Sequence, residues 1–174
     1  MILTLLVSLL GLAEPRDLLR RVPCEGPDAV PWVTDFRDRL LNYDGLTRFA
    51  VGRYGAPVAC EGTLTDEFDG AVFGALLLTF TEGITLEAQT LPPESSITTL
   101  RAAAGFGEGA EVREALRAPA AGIGLQIDWT TPEVTMEGDE RVESYWDRDP
   151  GLNASASLVS RDGELVAIRL SMAL

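Results

Sequence analysis

The side chains available for chemistry are restricted, because all 14 basic residues of this chain are arginine and it contains neither lysine nor histidine. Without histidine there is no Ser–His or Cys–His nucleophile pair and no imidazole ligand for zinc. Without lysine there is no Schiff base and no phosphate-binding lysine of a P-loop. Catalysis would therefore depend on carboxylates, tyrosine, arginine, unassisted hydroxyls or metals held by carboxylates.

The densest group of such side chains is the segment Glu137–Asp149, EGDERVESYWDRD, which places two large aromatic residues among carboxylates. Trp and Tyr dominate the hot spots of protein interfaces, although most surface charge runs are only solvated. In a regular strand Tyr145 and Trp146 point to opposite faces. Glu143 and Arg141 share the face of Tyr145, whereas the apolar Val142 shares the face of Trp146 and marks it as the core side. We therefore predict that Tyr145 is exposed and that Trp146 is a core residue. The predicted binding surface comprises Tyr145, Glu143, Arg141, Asp147 and Asp149.

Calcium binding is an alternative for the end of this segment, because Asp147, Asp149, Gly151 and Asn153 alternate as ligands do in calcium loops. The later glutamate of such loops is missing, and Pro150 stiffens the stretch. Any acidic protein can contain a pair of carboxylates like that of a glycosidase, and nothing in the sequence selects one pair. We predict neither a metal nor a cofactor.

The charge of the chain limits its partners. It has 174 residues, with 27 acidic against 14 basic, and a formal net charge of −13. Nucleic acids and anionic membranes repel such a polyanion, whereas a basic protein is attracted to it. With 46% hydrophobic residues the chain can build a sizeable core. We predict a basic protein partner, no nucleic acid and no membrane span. The oligomeric state stays open.

The element with the clearest predicted register is a β-hairpin within Ala71–Leu91. Its apolar residues match across the turn only when the loop is the three-residue Thr81–Gly83. A slip of one residue would turn the second strand inside out. Gly83 supplies the left-handed residue that such a loop needs. The predicted pairs are Phe80 with Ile84, Leu78 with Leu86 and Leu76 with Ala88.

A second hairpin is predicted near the C-terminus, across Arg161-Asp162-Gly163. Its first strand carries Ala154, Ala156 and Leu158, and its second carries Val166, Ile168 and Leu170. Gly83 and Gly163 are 80 positions apart, which suggests an internal repeat of pattern. At the same offset we predict paired helical stretches, Pro15–Val22 with Ser95–Ala104 and Trp32–Leu41 with Ala110–Ala118.

The predicted fold class is α+β, with two similar lobes that each pack short helices on an antiparallel β-sheet. Residues 14–91 would form the N-terminal lobe and residues 92–174 the C-terminal one, with the boundary at Pro92-Pro93. Short strands are also predicted at Leu46–Val51 and Ile123–Trp129. This tandem helix-plus-sheet plan is similar to that of the β-lactamase inhibitory proteins, a resemblance of plan that carries over no residues.

The first 13 residues, MILTLLVSLLGLA, have the length of a signal-peptide core and end in small residues suited to cleavage before Glu14. The alternative is a buried helix that continues into Pro15–Val22. In an exported chain the only two cysteines, Cys24 and Cys60, are predicted to form a disulfide.

The function predicted from these features is that of an exported, non-catalytic, acidic binding or inhibitor-type protein that recognises a basic protein. One alternative is a hydrolase that works with carboxylates or with a metal that they hold. The other is a cytosolic immunity or antitoxin-like protein, which the buried-helix interpretation of residues 1–13 would favour.

Overall fold

The described part of this protein is mostly β-strand, with a few short helices. The computed structural model describes residues 20–66, 72–91, 95–106, 112–114, 116–117, 120, 124–149 and 151–173. The strands are β1 Arg20–Pro23, β2 Ala59–Asp66, β3 Val72–Thr79, β4 Ile84–Leu91, β5 Ser95–Ala102, β6 Glu133–Glu137, β7 Glu140–Trp146, β8 Asn153–Arg161 and β9 Glu164–Ala173. Two helices, α1 Pro31–Tyr43 and α2 Gly45–Tyr54, lie between β1 and β2. Residues 112–114, 116–117 and 120 are also helical.

All nine strands belong to one antiparallel sheet in the order β1-β2-β3-β4-β5-β9-β8-β7-β6. The prediction of two separate helix-plus-sheet lobes is therefore wrong. The strand β5 joins the strands of the two predicted lobes into one sheet, since it pairs with β4 on one side and with β9 on the other. Its sequence SSITTLRA was predicted to be a serine-capped helix, but Ile97, Thr98 and Thr99 are β-branched and favour a strand.

Three shorter assignments are also corrected. The described end of the predicted helix Pro15–Val22 belongs to strand β1, Arg20–Pro23. The stretch Leu46–Val51 is not a strand but part of α2, whose first turn is capped by Asp44. The Asp44 carboxylate accepts hydrogen bonds from the backbone N–H and the hydroxyl of Thr47, at 2.7 and 2.9 Å. Within the predicted strand Ile123–Trp129, the described residues make a single β-bridge, from Ile127 to Asp147.

The hairpin of β3 and β4 confirms its predicted register. Leu78 lies opposite Leu86, Leu76 lies opposite Ala88, and the Phe80 N–H donates to the Ile84 carbonyl at 2.8 Å. The loop is a single 3₁₀ turn over Thr81–Gly83, and Gly83 has the expected positive φ of 72°.

The hairpin of β8 and β9 differs from its prediction in the turn and in one side chain. Its loop has two residues, Asp162 and Gly163, both with positive φ, as in a type I′ turn. Val159 pairs with Ala167 and Ser160 pairs with Leu165, so Val166 is an extra residue, a β-bulge in β9. The bulge moves Val166 to the face opposite Ile168 and Leu170, against the prediction.

The main core lies between the helices and one face of the sheet, which we call the helix face. It contains Val33 and Leu40 of α1, Leu46 and Ala50 of α2, and alternate residues of the strands. Gly62 allows α1 to lie close to the sheet, since a Cβ atom there would be 2.7 Å from Cγ1 of Val33. No helix in the described part of the chain has the length and apolar character to cross a membrane.

The predicted disulfide between Cys24 and Cys60 is confirmed, with a Cα–Cα distance of 5.5 Å. Cys24 is buried in the core between β1 and α1, and Cys60 lies in β2. The bond therefore fixes the entry into α1 against the sheet. The signal-like residues 1–13 and the proposed boundary at Pro92-Pro93 lie outside the described residues.

Candidate functional site

The second face of the sheet has no described helix packed on it, and we call it the open face. Hydrogen-bonded neighbours place its residues in rows across the strands. One row runs from Leu77 through Glu87, Thr99, Arg169, Ser157 and Ser144 to Glu133. The row beside it ends at Trp146.

Tyr145 and Trp146 lie on opposite faces, as predicted, but their roles are reversed. Tyr145 is 1% exposed and packs in the main core, whereas Trp146 is 45% exposed on the open face. The prediction failed at Val142, which was taken to mark the core side of β7. Val142 is buried, but in a small separate cluster on the open face with Val159 and Ala167.

A charged group surrounds Tyr145 on the helix face. The Tyr145 hydroxyl donates to the Glu143 carboxylate at 2.8 Å, and the Arg113 guanidinium lies 5.3 Å from the Tyr145 ring centroid. Arg113 and Arg141 both form ion pairs with Glu143, and Trp129 packs against the Tyr145 ring. Burial and the hydrogen bond to Glu143 both raise the pKa of Tyr145. Tyr145 is buried and Glu143 mostly so, whereas the side chains of Arg113 and Arg141 are partly exposed.

The pKa of Glu143 is lowered, so this carboxylate stabilises the fold in its ionised form. Burial alone would raise that pKa, but hydrogen bonds from Arg141 and Tyr145 and the nearby charges of Arg141 and Arg113 outweigh it. The stabilisation is complete above the ordinary pKa of 4.5 and is lost as the pH falls through the lower folded value.

We expect Glu143→Gln to be less stable than the wild type at pH 7, and we expect the difference to shrink as the pH falls from 5 to about 3. Urea unfolding of both proteins at pH 7, 5 and 3 measures it. A difference that stays constant or grows in acid would show that ionised Glu143 does not stabilise the fold.

The carboxylates of Asp147 and Asp149 cap loops beside Trp146. Asp147 accepts from the N–H groups of Gln126 and Asp149, at 2.6 and 2.7 Å, and Asp149 accepts from the N–H of Gly151 at 2.9 Å. Their oxygens thus bind backbone rather than converging on a cation. Among the described residues no group of three or more acidic, cysteine or histidine side chains is placed to hold a metal ion.

Ion pairs between arginine and glutamate side chains cover part of the open face. Glu140 is buried and accepts from Arg101 and Arg161 at 3.2 and 2.8 Å, and Glu137 pairs with Arg169 at 3.4 Å. In a flat sheet the Cα atoms of Glu137 and Arg169 would be about 20 Å apart, beyond the reach of the two side chains. The sheet is therefore strongly curled. A cavity of about 300 Å³ lies beside Arg101 and Arg169.

Exposed apolar side chains concentrate at the opposite end of the sheet from α1 and α2. Six large apolar residues are exposed in the described part of the chain, and three of them lie in the β6–β7 hairpin. They are Val134, Met136 and Trp146, at 48%, 64% and 45% exposure. Val134 and Met136 lie on the face opposite to Trp146, so the hairpin exposes apolar side chains on both of its faces. We call the group Glu133, Val134, Met136, Glu137 and Trp146, which spans both faces, the hairpin surface.

Val134 and Met136 were not among the predicted surface residues, because no strand was predicted before Glu137. The signal was present, since EVTME alternates in polarity between Pro132 and Gly138, a pattern that predicts a short strand. Gly138 has a φ of 68°, which suits the first central position of a type II′ hairpin turn.

Comparisons with protein-family models, with curated proteins and with solved structures find no match to this chain.

Proposed function

We propose that this protein is a non-catalytic, acidic binding or inhibitor-type protein that recognises a basic protein through its hairpin surface. The observation that carries the proposal is Trp146, a large aromatic side chain exposed on a sheet face and held by a carboxylate. Its indole N–H donates to Glu133 at 3.1 Å. A large aromatic side chain exposed among carboxylates is typical of an interface anchor, since Trp is enriched in interface hot spots.

The charges around Trp146 favour a basic partner. Glu133 forms no ion pair with a described arginine. Asp147 follows Trp146 directly, and Asp149 comes after Arg148, which pairs with Asp128 at 3.9 Å. Asp128 lies nearby, where hydrogen bonds from the Thr130 hydroxyl and N–H lower its pKa. With a net charge of −13, the whole chain adds long-range attraction for a cationic protein. The Cys24–Cys60 disulfide supports export to an oxidising compartment as part of the same proposal.

The test is affinity capture by the immobilised protein from cultures of cells that produce it, followed by affinity measurements on each purified captured protein. We expect a protein of basic isoelectric point, whose affinity falls at least about tenfold with Trp146→Ala, the loss of one hot spot. Binding should also weaken as salt rises from about 50 to 500 mM, because exposed charges are screened.

The matched control is Tyr43→Ala, which removes another exposed aromatic residue, 72% exposed at the end of α1. This variant should bind as the wild type does. A partner that binds Trp146→Ala and the wild type equally, or whose affinity ignores salt, would contradict the proposal.

A further inference from the structure

The outer side of β6 is an edge of the sheet. β6 is the last strand in the sheet order, all five of its residues are exposed, and no described residue pairs with its outer side. An edge strand presents a row of backbone N–H and C=O groups that another extended chain can pair with. Lysine, proline and bulges, which commonly block such edges, are all missing from EVTME.

The turn determines which backbone groups point outward. Glu137 and Glu140 flank the two-residue turn and pair with each other, so they form the hydrogen-bonded pair that closes the hairpin. Bonded and non-bonded pairs alternate along an antiparallel ladder. Glu133, Thr135 and Glu137 therefore bond to β7, and the N–H and C=O groups of Val134 and Met136 point outward.

The side chains of β6 separate by chemistry. Glu133 and Glu137 project on the open face, since their row neighbours include Ser144 and Glu140. Val134 and Met136 project on the other face, opposite Glu143 and Arg141. A strand added here would meet carboxylates on one face and exposed apolar groups on the other. Its best complement alternates basic and apolar residues.

A second copy of the chain fits this edge poorly. Two β6 strands paired antiparallel about Thr135 would place Glu133 of each copy opposite Glu137 of the other, and like charges directly opposite destabilise a sheet. Parallel pairing would also align glutamates with glutamates. The charge pattern therefore selects a cationic strand.

We propose that an extended segment of a basic protein, alternating arginine or lysine with apolar residues, adds to the sheet as a tenth strand beside β6. The inference rests on the proposed function and specifies its mode of recognition. Main-chain hydrogen bonds to Val134 and Met136 would supply the pairing, and Glu133 and Glu137 would select basic side chains.

The probe is a synthetic nine-residue peptide of alternating arginine and valine, titrated into ¹⁵N-labelled protein. We expect saturable shifts of the amide signals of residues 133–137. Val134→Pro removes an outward N–H without breaking a bond to β7, and it should weaken peptide binding at least tenfold. Val134→Ala keeps that N–H and should weaken binding less than about threefold. Melting curves check that both variants are folded.

A second arm needs no variant of the protein. The same peptide with every backbone nitrogen methylated has no N–H to donate along either edge, and it should bind at least tenfold more weakly. Equal binding of both peptides, indifference to Val134→Pro, or peptide-induced shifts confined to other strands would overturn the inference. So would concentration-dependent dimerisation that is lost with Val134→Pro.

The captured basic protein separates this inference from the proposed function. If its affinity depends on Trp146 but not on Val134→Pro, strand addition is wrong and the binding function stands. If it depends on neither residue, the hairpin surface is not the site.

Discussion

Replacing Tyr145 by alanine should lower the free energy of unfolding by about 3–5 kcal/mol, the cost of removing a large buried aromatic side chain. Tyr145 is almost fully buried, packs against Trp129 with 5.3 Å between ring centroids, and donates its hydroxyl to Glu143. Its loss leaves a cavity and removes one hydrogen bond that holds the Glu143 carboxylate. Equilibrium urea unfolding, followed by circular dichroism, measures the change.

Two matched variants separate the contributions. Tyr145→Phe keeps the ring and loses the hydroxyl, so it should cost about 1 kcal/mol. Trp146→Ala removes the exposed neighbour on the opposite face and should cost less than about 1 kcal/mol. If Trp146→Ala destabilises the protein more than Tyr145→Ala does, the assignment of the two faces of β7 is wrong.

Removing the disulfide should lower the free energy of unfolding by about 3 kcal/mol, because a closed loop restricts the unfolded chain. Cys24 and Cys60 are 36 positions apart, and their bond ties the segment before α1 to β2. The variant with both cysteines replaced by serine should therefore unfold at lower urea concentration than the oxidised wild type. The difference in unfolding free energy gives the contribution of the bond.

The control for this prediction is the wild type with and without reductant. Reduction should destabilise the wild type by a similar amount and leave the double serine variant unchanged. Titration of the denatured, unreduced protein should find no free thiol. Two free thiols in protein prepared from an oxidising compartment would contradict the disulfide.

The alternation of apolar and polar residues was enough to predict the register where one face of a strand is buried and the other faces solvent. The β3–β4 register followed from the apolar matches of Leu76, Leu78 and Phe80 with residues of β4, since a one-residue slip would turn β4 inside out. The same approach kept most faces of the β8–β9 hairpin but missed the bulge at Val166. An extra residue in one strand leaves no mark in the alternation when both faces carry apolar residues.

The pairing of strands far apart in the sequence could not be predicted in the same way. The choice between a helix and a strand at β5 depends on its two neighbours, β4 and β9, of which β9 lies more than 60 positions away. Serines near Ser95 resemble a helix cap, and only the β-branched run argues for a strand. The division into two lobes rested on that error together with the 80-position offset of Gly83 and Gly163 and the boundary placed at Pro92-Pro93.

The exposed aromatic side chain of Glu137–Asp149 was predicted to be Tyr145, but it is Trp146. Alternation places Tyr145 and Trp146 on opposite faces, yet it does not say which face is the core. Val142 appeared to answer that question, but it is buried in the small cluster under the open face. When both faces of a strand carry buried apolar residues, their difference in polarity no longer shows which face is the core.

The central claim is that the protein binds its basic partner through the hairpin surface, and the three tryptophans test it directly. Trp32 and Trp129 pack against the main core, and Trp146 is exposed on the open face. Each gives a separate indole N–H signal in a ¹⁵N–¹H spectrum, assigned by single Trp→Phe variants. When the captured basic protein is added, the Trp146 signal should shift in proportion to binding while those of Trp32 and Trp129 stay in place. A Trp146 signal that does not change at saturation would contradict the claim.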